Sequence, residues 1–179
     1  MTLWVFGYGS LLWNPGFEPV EARQGRLDGW HRSFCMLSIH HRGTVEHPGL
    51  VLALDAQKDA RCTGMVLRVA DEDTDEVLAY LRERELVSAA YLEVKLPVTL
   101  DDGREIEAVT YVIDASHAQY VDFDLETQAQ MIASAVGGRG PNYEYLDNTA
   151  SHLDKMGIAD PDMAWLVRRV AAIRTGESV

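Results

Sequence analysis

The chain opens on a short apolar run of β-formers, Leu3-Trp4-Val5-Phe6, and then alternates brief apolar stretches with glycines, prolines and acid clusters. The run predicts a first strand ending at Gly7. Residues 20–36 have β-tendency broken at Gly25 and Gly29, which fits two strands or one strongly bent strand. A loop holding His40-His41-Arg42-Gly43 ends at the turn signal Pro48-Gly49. Residues 50–54 and 62–69 read as strands, and the polar stretch 55–60 between them reads as a turn. Acids at Asp71-Glu72-Asp73 then start a helix, where the macrodipole favours them, and Val77, Leu78 and Leu81 form its apolar stripe. Residues 91–99 and 106–113 read as a hairpin around Asp101-Asp102-Gly103.

Beyond residue 113 the period changes from 2 to 3.6. Residues 125–136 read as a helix capped by Asp122 or Asp124. The run Gly137-Gly138-Arg139-Gly140-Pro141 breaks it. A second helix covers 143–156, and Asp160-Pro161 opens a third that runs to about Arg174, with a frayed end. Many short strands, one embedded helix and a helical C-terminal third make an α+β pattern rather than alternating βαβ. The expectation is one domain over 1–179, strand-rich over 1–115 and helical over 122–175.

Composition narrows the function classes. The 179 residues are 47% hydrophobic and 25% charged, ordinary for a globular chain. A net charge of −12 without a Lys/Arg cluster argues against nucleic acid or an anionic membrane as partner. No apolar run approaches a membrane span and no signal-peptide pattern stands at the start. Cys35 and Cys62 sit in strand-like apolar contexts, as reduced thiols of a cytoplasmic protein do. Neither pattern nor motif specifies an oligomer.

Three places carry candidate chemistry. The first is Tyr8-Gly9-Ser10-Leu11. Glycines at 7 and 9 permit a turn through φ > 0 and a close approach, and Ser10 with the amides around it suits a small anion such as a carboxylate; the alternative is a plain tight turn. The second is Glu85. On a helical wheel at about 100° per residue with Val77 at zero, Leu81 falls near roughly 40°, Leu78 near 100° and Glu85 near 80°. Glu85 thus lies inside the apolar stripe, and Glu83, near roughly 240°, faces away. Burial and the negative helix end both raise a carboxyl there toward the range useful for acid/base work. The alternatives are that Glu85 swings out as the helix ends, or pairs with Arg82 or Arg84. The third is Arg42, a loop arginine that either holds a carboxylate or is simply solvated. The adjacent histidines point to opposite faces of a strand and no spaced ligand set completes them, so no metal is expected. Ser10 lacks the Gly-x-Ser-x-Gly elbow of hydrolases, and Gly7-x-Gly9 lacks the third glycine of a phosphate loop.

The ordered set resembles the ChaC-type gamma-glutamylcyclotransferases. Val5-Phe6-Gly7-Tyr8-Gly9-Ser10-Leu11-Leu12-Trp13 is similar to the family's opening loop. Gly29 to Phe34 is similar to its Gly-x-x-Arg-x-Phe strand, and His41-Arg42-Gly43 with Pro48-Gly49 to its His-Arg-Gly loop. Tyr80-Leu81-x-x-Arg84-Glu85 with Tyr91 resembles the segment bearing its catalytic glutamate. Gly140-Pro141-Asn142-Tyr143-Glu144-Tyr145-Leu146 resembles its Gly-x-Asn-x-Glu-Tyr-Leu segment. Where some members carry Gly-Gly before the tyrosine, this chain has Leu86-Val87-Ser88-Ala89-Ala90. The resemblance implies a mixed β-barrel with flanking helices and cleavage of glutathione to 5-oxoproline and Cys-Gly, a lyase reaction without a cofactor. It also implies Glu85 as general acid/base, with Tyr8, Gly9, Ser10, Leu11, Arg42 and Tyr145 as substrate contacts. For Tyr145 the residue itself equally suits an amphipathic core tyrosine. Other readings are a cyclotransferase for other gamma-glutamyl amines and a non-catalytic module that binds a gamma-glutamyl ligand or a transporter.

Overall fold

The structure, a computed structural model, describes residues 2–86 and 89–176. The opening apolar run forms β1 (Leu3–Gly7), buried along its whole length, as a strand with no polar face must be. β2 (Glu21–Ser38) is one unbroken strand rather than two, and Gly29 within it takes φ +86°. β3 (Gly49–Val69) corrects the expected turn at 55–60, because the strand continues through it. That stretch is polar and largely exposed, so it has no inward face and no alternation to read. Asp59, at φ +66°, is its one turn-like residue.

The expected hairpin is present. β4 (Tyr91–Leu100) pairs antiparallel with β5 (Glu105–Ile113) from Tyr91↔Ile113 to Thr99↔Glu105, and Gly103 in the connection takes φ +90°. The strands close into a mixed barrel in the order β1-β3-β2-β4-β5. β1 lies antiparallel to β3 and meets β5 in parallel at Val5↔Val109.

The chain divides into two compact units, Met1–Ser33 with Ala53–Ala118 and Phe34–Leu52 with Gln119–Val179. The first holds β1, β4, β5 and α1 (Thr74–Glu85), which follows a 3-10 turn at Asp71–Asp73. Its core gathers Leu3, Val5, Leu11, Val69, Val77, Leu81, Val109 and Tyr111, with Leu78 and Tyr91 packed against it. Complete burial of Leu81 contributes about 1.5–3 kcal/mol.

The second unit is built on three helices. α2 (Leu125–Ser134) is capped by Asp124, whose side chain accepts from the Thr127 N–H. α2 stops two residues short of the expected Val136, because the glycine run that follows pairs with itself as β6 (Val136–Gly137) and β7 (Gly140–Pro141). α3 (Asn142–Lys155) starts on the next residue. α4 (Pro161–Thr175) has Pro at its start, Asp160 as cap and Gly176 at φ +77° beyond its end. Ile132, Leu146, Leu153 and Leu166 are buried, and Arg169 of α4 grips Glu126 of α2 through Nε (2.8 Å) and Nη2 (2.7 Å). The expected fraying beyond residue 176 lies outside the described residues.

Candidate active site

The opening turn folds back on the end of its own strand. After β1, Ser10–Leu12 makes one 3-10 turn, with Leu12 N–H donating to Gly9 O at 2.9 Å and Asn14 N–H to Ser10 O at 2.9 Å. The expectation of φ > 0 is corrected: Gly9 sits at φ −132°, and Gly7 is not among the positive-φ glycines. Space is what Gly7 provides. A Cβ there would lie 2.8 Å from Leu11 Cβ and 3.1 Å from Leu11 C, so a side chain would push the turn off the strand end. Among the described residues, no backbone N–H of Gly9, Ser10 or Leu11 donates a hydrogen bond.

Two buried side chains fix this turn. Arg32 Nε donates to Tyr8 O at 2.7 Å and its Nη2 donates to Thr63 O. Tyr8 turns inward and donates its hydroxyl to Tyr111 O at 2.7 Å. Tyr8 therefore offers its backbone to the turn, and its ring belongs to the core.

α1 brings a carboxyl to the same unit. Val77 and Leu81 are buried and Glu83 is exposed, as the wheel requires. Glu85 is the last residue of the helix, with a side chain only 16% exposed. Its Oε1 lies 3.3 Å from Arg84 Nε, so the arginine-paired alternative is realised within a buried setting. Burial raises the Glu85 carboxyl above the ordinary carboxylate range, and Arg84 pulls the other way. The second carboxylate of this region behaves oppositely. Glu93 on β4 receives Arg82 Nε at 3.0 Å and Nη2 at 2.9 Å, and Tyr111 O–H at 3.0 Å. These bonds, Arg82 first, hold Glu93 below the ordinary range. Two carboxyl groups pushed apart in this way separate a proton carrier from a fixed charge. Tyr111, buried beside both carboxylates, is pushed far above the usual tyrosine range, chiefly by desolvation.

Arg84 was not picked out from sequence as a site residue. Its Nη2 donates to Ser10 Oγ at 2.8 Å and its Nη1 to Asn14 O at 2.6 Å, so it ties α1 to the opening turn. Arg32 was missed too. A usable signal existed, since Arg32 alternates with Phe34, Met36 and Ser38 on one buried face of β2.

The remaining predicted residues belong to the second unit. Arg42 is 15% exposed; Nη1 donates to Pro141 O at 3.1 Å and lies 3.9 Å from Glu144, and the guanidinium stands 5.8 Å from the Tyr145 ring centroid. Tyr145 Oη accepts the Leu52 N–H at 3.2 Å, and its ring meets Phe34 edge-on. Beside them, fully buried Asn142 accepts from Leu50 N–H at 2.8 Å and donates to Leu50 O at 2.8 Å, which imitates a strand partner for β3. The glycines of this region are close approaches: a Cβ on Gly43 would lie 2.6 Å from Ser38 O, and one on Gly49 2.7 Å from Asn142 Oδ1. Among the described residues no cluster of three or more His, Cys, Asp and Glu is arranged to hold a metal ion.

The sequence model of the ChaC-like protein family matches residues 3–173. A glutathione-specific gamma-glutamylcyclotransferase of Escherichia coli (strain K12) is 39% identical over 159 residues, 88% of this chain and 68% of that protein. The human glutathione-specific gamma-glutamylcyclotransferase 1 is 31% identical over 177 residues, 96% of this chain and 80% of that protein. The crystal structure of a yeast gamma-glutamyl cyclotransferase specific to glutathione superposes with a TM-score of 0.87 at 23% identity, covering 99% of both chains, which fixes the fold. With the family match spanning nearly its whole length, the chain belongs to the ChaC-like family.

Proposed function

We propose that this chain is a single-domain, cytoplasmic gamma-glutamylcyclotransferase, a lyase that converts glutathione to 5-oxoproline and Cys-Gly. The observation that carries the reading is Glu85, a carboxyl 16% exposed at the end of an apolar helix stripe and raised by burial. The names of the relatives supply the substrate. The substrate's α-amine attacks its own γ-carbonyl carbon, so a C–N bond closes the ring and the γ-amide C–N bond breaks. From the ammonium form, one proton first passes to the carboxylate to free the attacking amine and a second leaves that nitrogen as the ring closes, while the departing cysteinyl nitrogen takes up two and leaves as the ammonium of Cys-Gly. A single carboxyl whose pKa burial has raised can accept and return protons in both transfers. The amides of Gly9, Ser10 and Leu11 are donors suited to the α-carboxylate and to charge developing on the γ-carbonyl oxygen, and they add no formal charge to a protein of net charge −12.

Tyr8 contributes through its backbone. Arg42 and Tyr145 hold the 38–52 segment of their own unit, Arg42 through Pro141 O and Tyr145 by accepting the Leu52 N–H. No metal or cofactor takes part. The test is incubation of purified protein with glutathione and mass detection of 5-oxoproline, alongside γ-glutamyl amines that lack Cys-Gly. Rapid release from glutathione alone is expected. Equal release from all of them would make the enzyme a general γ-glutamyl cyclotransferase, and no release from folded protein would overturn the reading.

A further inference from the structure

Among the described residues, Arg84 touches both the opening turn and the Glu85 carboxyl. Its three nitrogens do different things. Nη2 donates to Ser10 Oγ at 2.8 Å, Nη1 to Asn14 O at 2.6 Å, and Nε stands 3.3 Å from Glu85 Oε1. Tyr80, one helical turn earlier, stands 3.4 Å from Nη1 and packs where Gly16 lacks a side chain. The arginine is 20% exposed, too enclosed to be a solvated helix-end charge. A lysine ammonium is a point charge on a flexible stem and cannot span three such partners at once; a planar guanidinium can.

We propose that Arg84 is a positioning residue for the cyclisation: one rigid fork sets the place of the Ser10 turn relative to the Glu85 carboxyl and lays a positive charge against that carboxyl. The proposal rests on the reading of Glu85 as acid/base. Its physical reason is a conflict at the end of α1. Burial favours a neutral carboxyl there, yet a base must be charged to take a proton from the substrate ammonium. Arg84 supplies the opposing charge. Among the described residues, the other charged or titratable groups around Glu85 are Tyr111 from β5 and, hydrogen-bonded to it, Glu93 from β4 with its partner Arg82. Neither carboxylate nor phenol can replace a cation, and Arg82 is committed to Glu93.

The experiment is the pH profile of kcat/KM for 5-oxoproline release in Arg84→Met, Arg84→Lys and Ser10→Ala, with folding followed by circular dichroism. Arg84→Met should lower kcat/KM by at least ~10-fold, equivalent to ~1.4 kcal/mol, and move the acid limb to higher pH. Arg84→Lys should return the limb toward the parent's and still lack most of the rate, because the charge is back and the fork is not. Ser10→Ala should raise KM with the limb in place. An unmoved limb and parental rate in Arg84→Met would overturn the proposal, and so would full recovery of rate by lysine. If Arg84→Met does not fold, the Lys and Ala variants decide, and parental activity in both overturns it. If Glu85→Gln remains active, it is the acid/base reading that has failed; if Glu85→Gln is inactive and Arg84→Met is unaffected, only the present inference has.

Discussion

Two clusters hold the motif residues, one in each unit, and they differ in what their polar groups are doing. Around residues 42, 49, 137 and 142 the polar atoms are engaged with backbone: Asn142 with both polar groups of Leu50, Tyr145 with Leu52 N–H, Arg42 with Pro141 O. Around residues 8–11 and 84–85, the turn leaves three adjacent amides without a donated bond among the described residues, and a carboxyl raised by burial has one cation beside it. The first arrangement satisfies the requirement that buried polar groups be paired. The second leaves backbone donors without a donated bond, among the described residues, beside a carboxyl that burial raises and an arginine opposes, an arrangement that costs stability and suits catalysis. Membership in a family motif therefore does not sort residues by role; their hydrogen-bond partners do.

The largest expected effect that separates the clusters is on Glu85. Glu85→Gln should lose at least ~100-fold in kcat/KM for glutathione, the usual scale of general acid/base work, and Glu83→Gln should match the parent. Stability should move the other way. The folded pKa of Glu85 is raised, so its contribution to folding is most favourable when protonated, at low pH, and falls as pH rises through the folded value. Glu85→Gln should therefore melt at or above the parent temperature at neutral pH, with the gap closing in acid. A variant that is both inactive and unstable would erase the distinction between the clusters.

Asn142→Ala should show the converse. Leaving buried polar groups of Leu50 without Asn142 costs about 1–3 kcal/mol per group, so the melting temperature should drop while the folded fraction keeps its specific activity. Gly7→Ala tests the turn by space rather than by φ. A Cβ 2.8 Å from Leu11 Cβ must displace the Ser10–Leu11 amides, and a loss of about 10-fold in kcat/KM, ~1.4 kcal/mol, is expected with only a small change in melting temperature. The smallest effect is that of a chelator: EDTA should leave the rate unchanged, and a loss restored by one divalent metal would overturn the metal-free mechanism.

Much of this was legible in the sequence. The 91–113 hairpin was visible because alternation and a Gly103 turn agree, and α4 because Asp160-Pro161 and Gly176 mark its ends. Glu85 was visible because a charged residue interrupted an apolar stripe at helical spacing. Elsewhere the signal was absent or misleading. Residues 55–60 form strand with their polar side chains largely in water, so no period marked them. Gly7 was read for backbone freedom and for a close approach, and only the close approach, that of Leu11, is present. Arg84 and Arg32 were passed over because an arginine's job depends on which carbonyls, hydroxyls and carboxylates lie within reach, and those come from residues 8, 10, 14 and 63. Val87 and Ser88, in the stretch where the chain departs from the Gly-Gly pattern, lie outside the described residues.

The central claim is that a buried carboxyl with a raised pKa is the base, and the pH dependence of kcat/KM for 5-oxoproline release from glutathione tests it most directly. Glu85 must be ionised to accept the proton, so activity falls as pH drops through its pKa. The substrate's α-carboxyl titrates near ~3.5 and its amine on the alkaline side, which leaves the intermediate acid limb to the enzyme. The account predicts a limb with its midpoint above the ordinary glutamate value of 4.5, absent from the residual activity of Glu85→Gln. A limb at or below 4.5, or one that persists unchanged in Glu85→Gln, would contradict it.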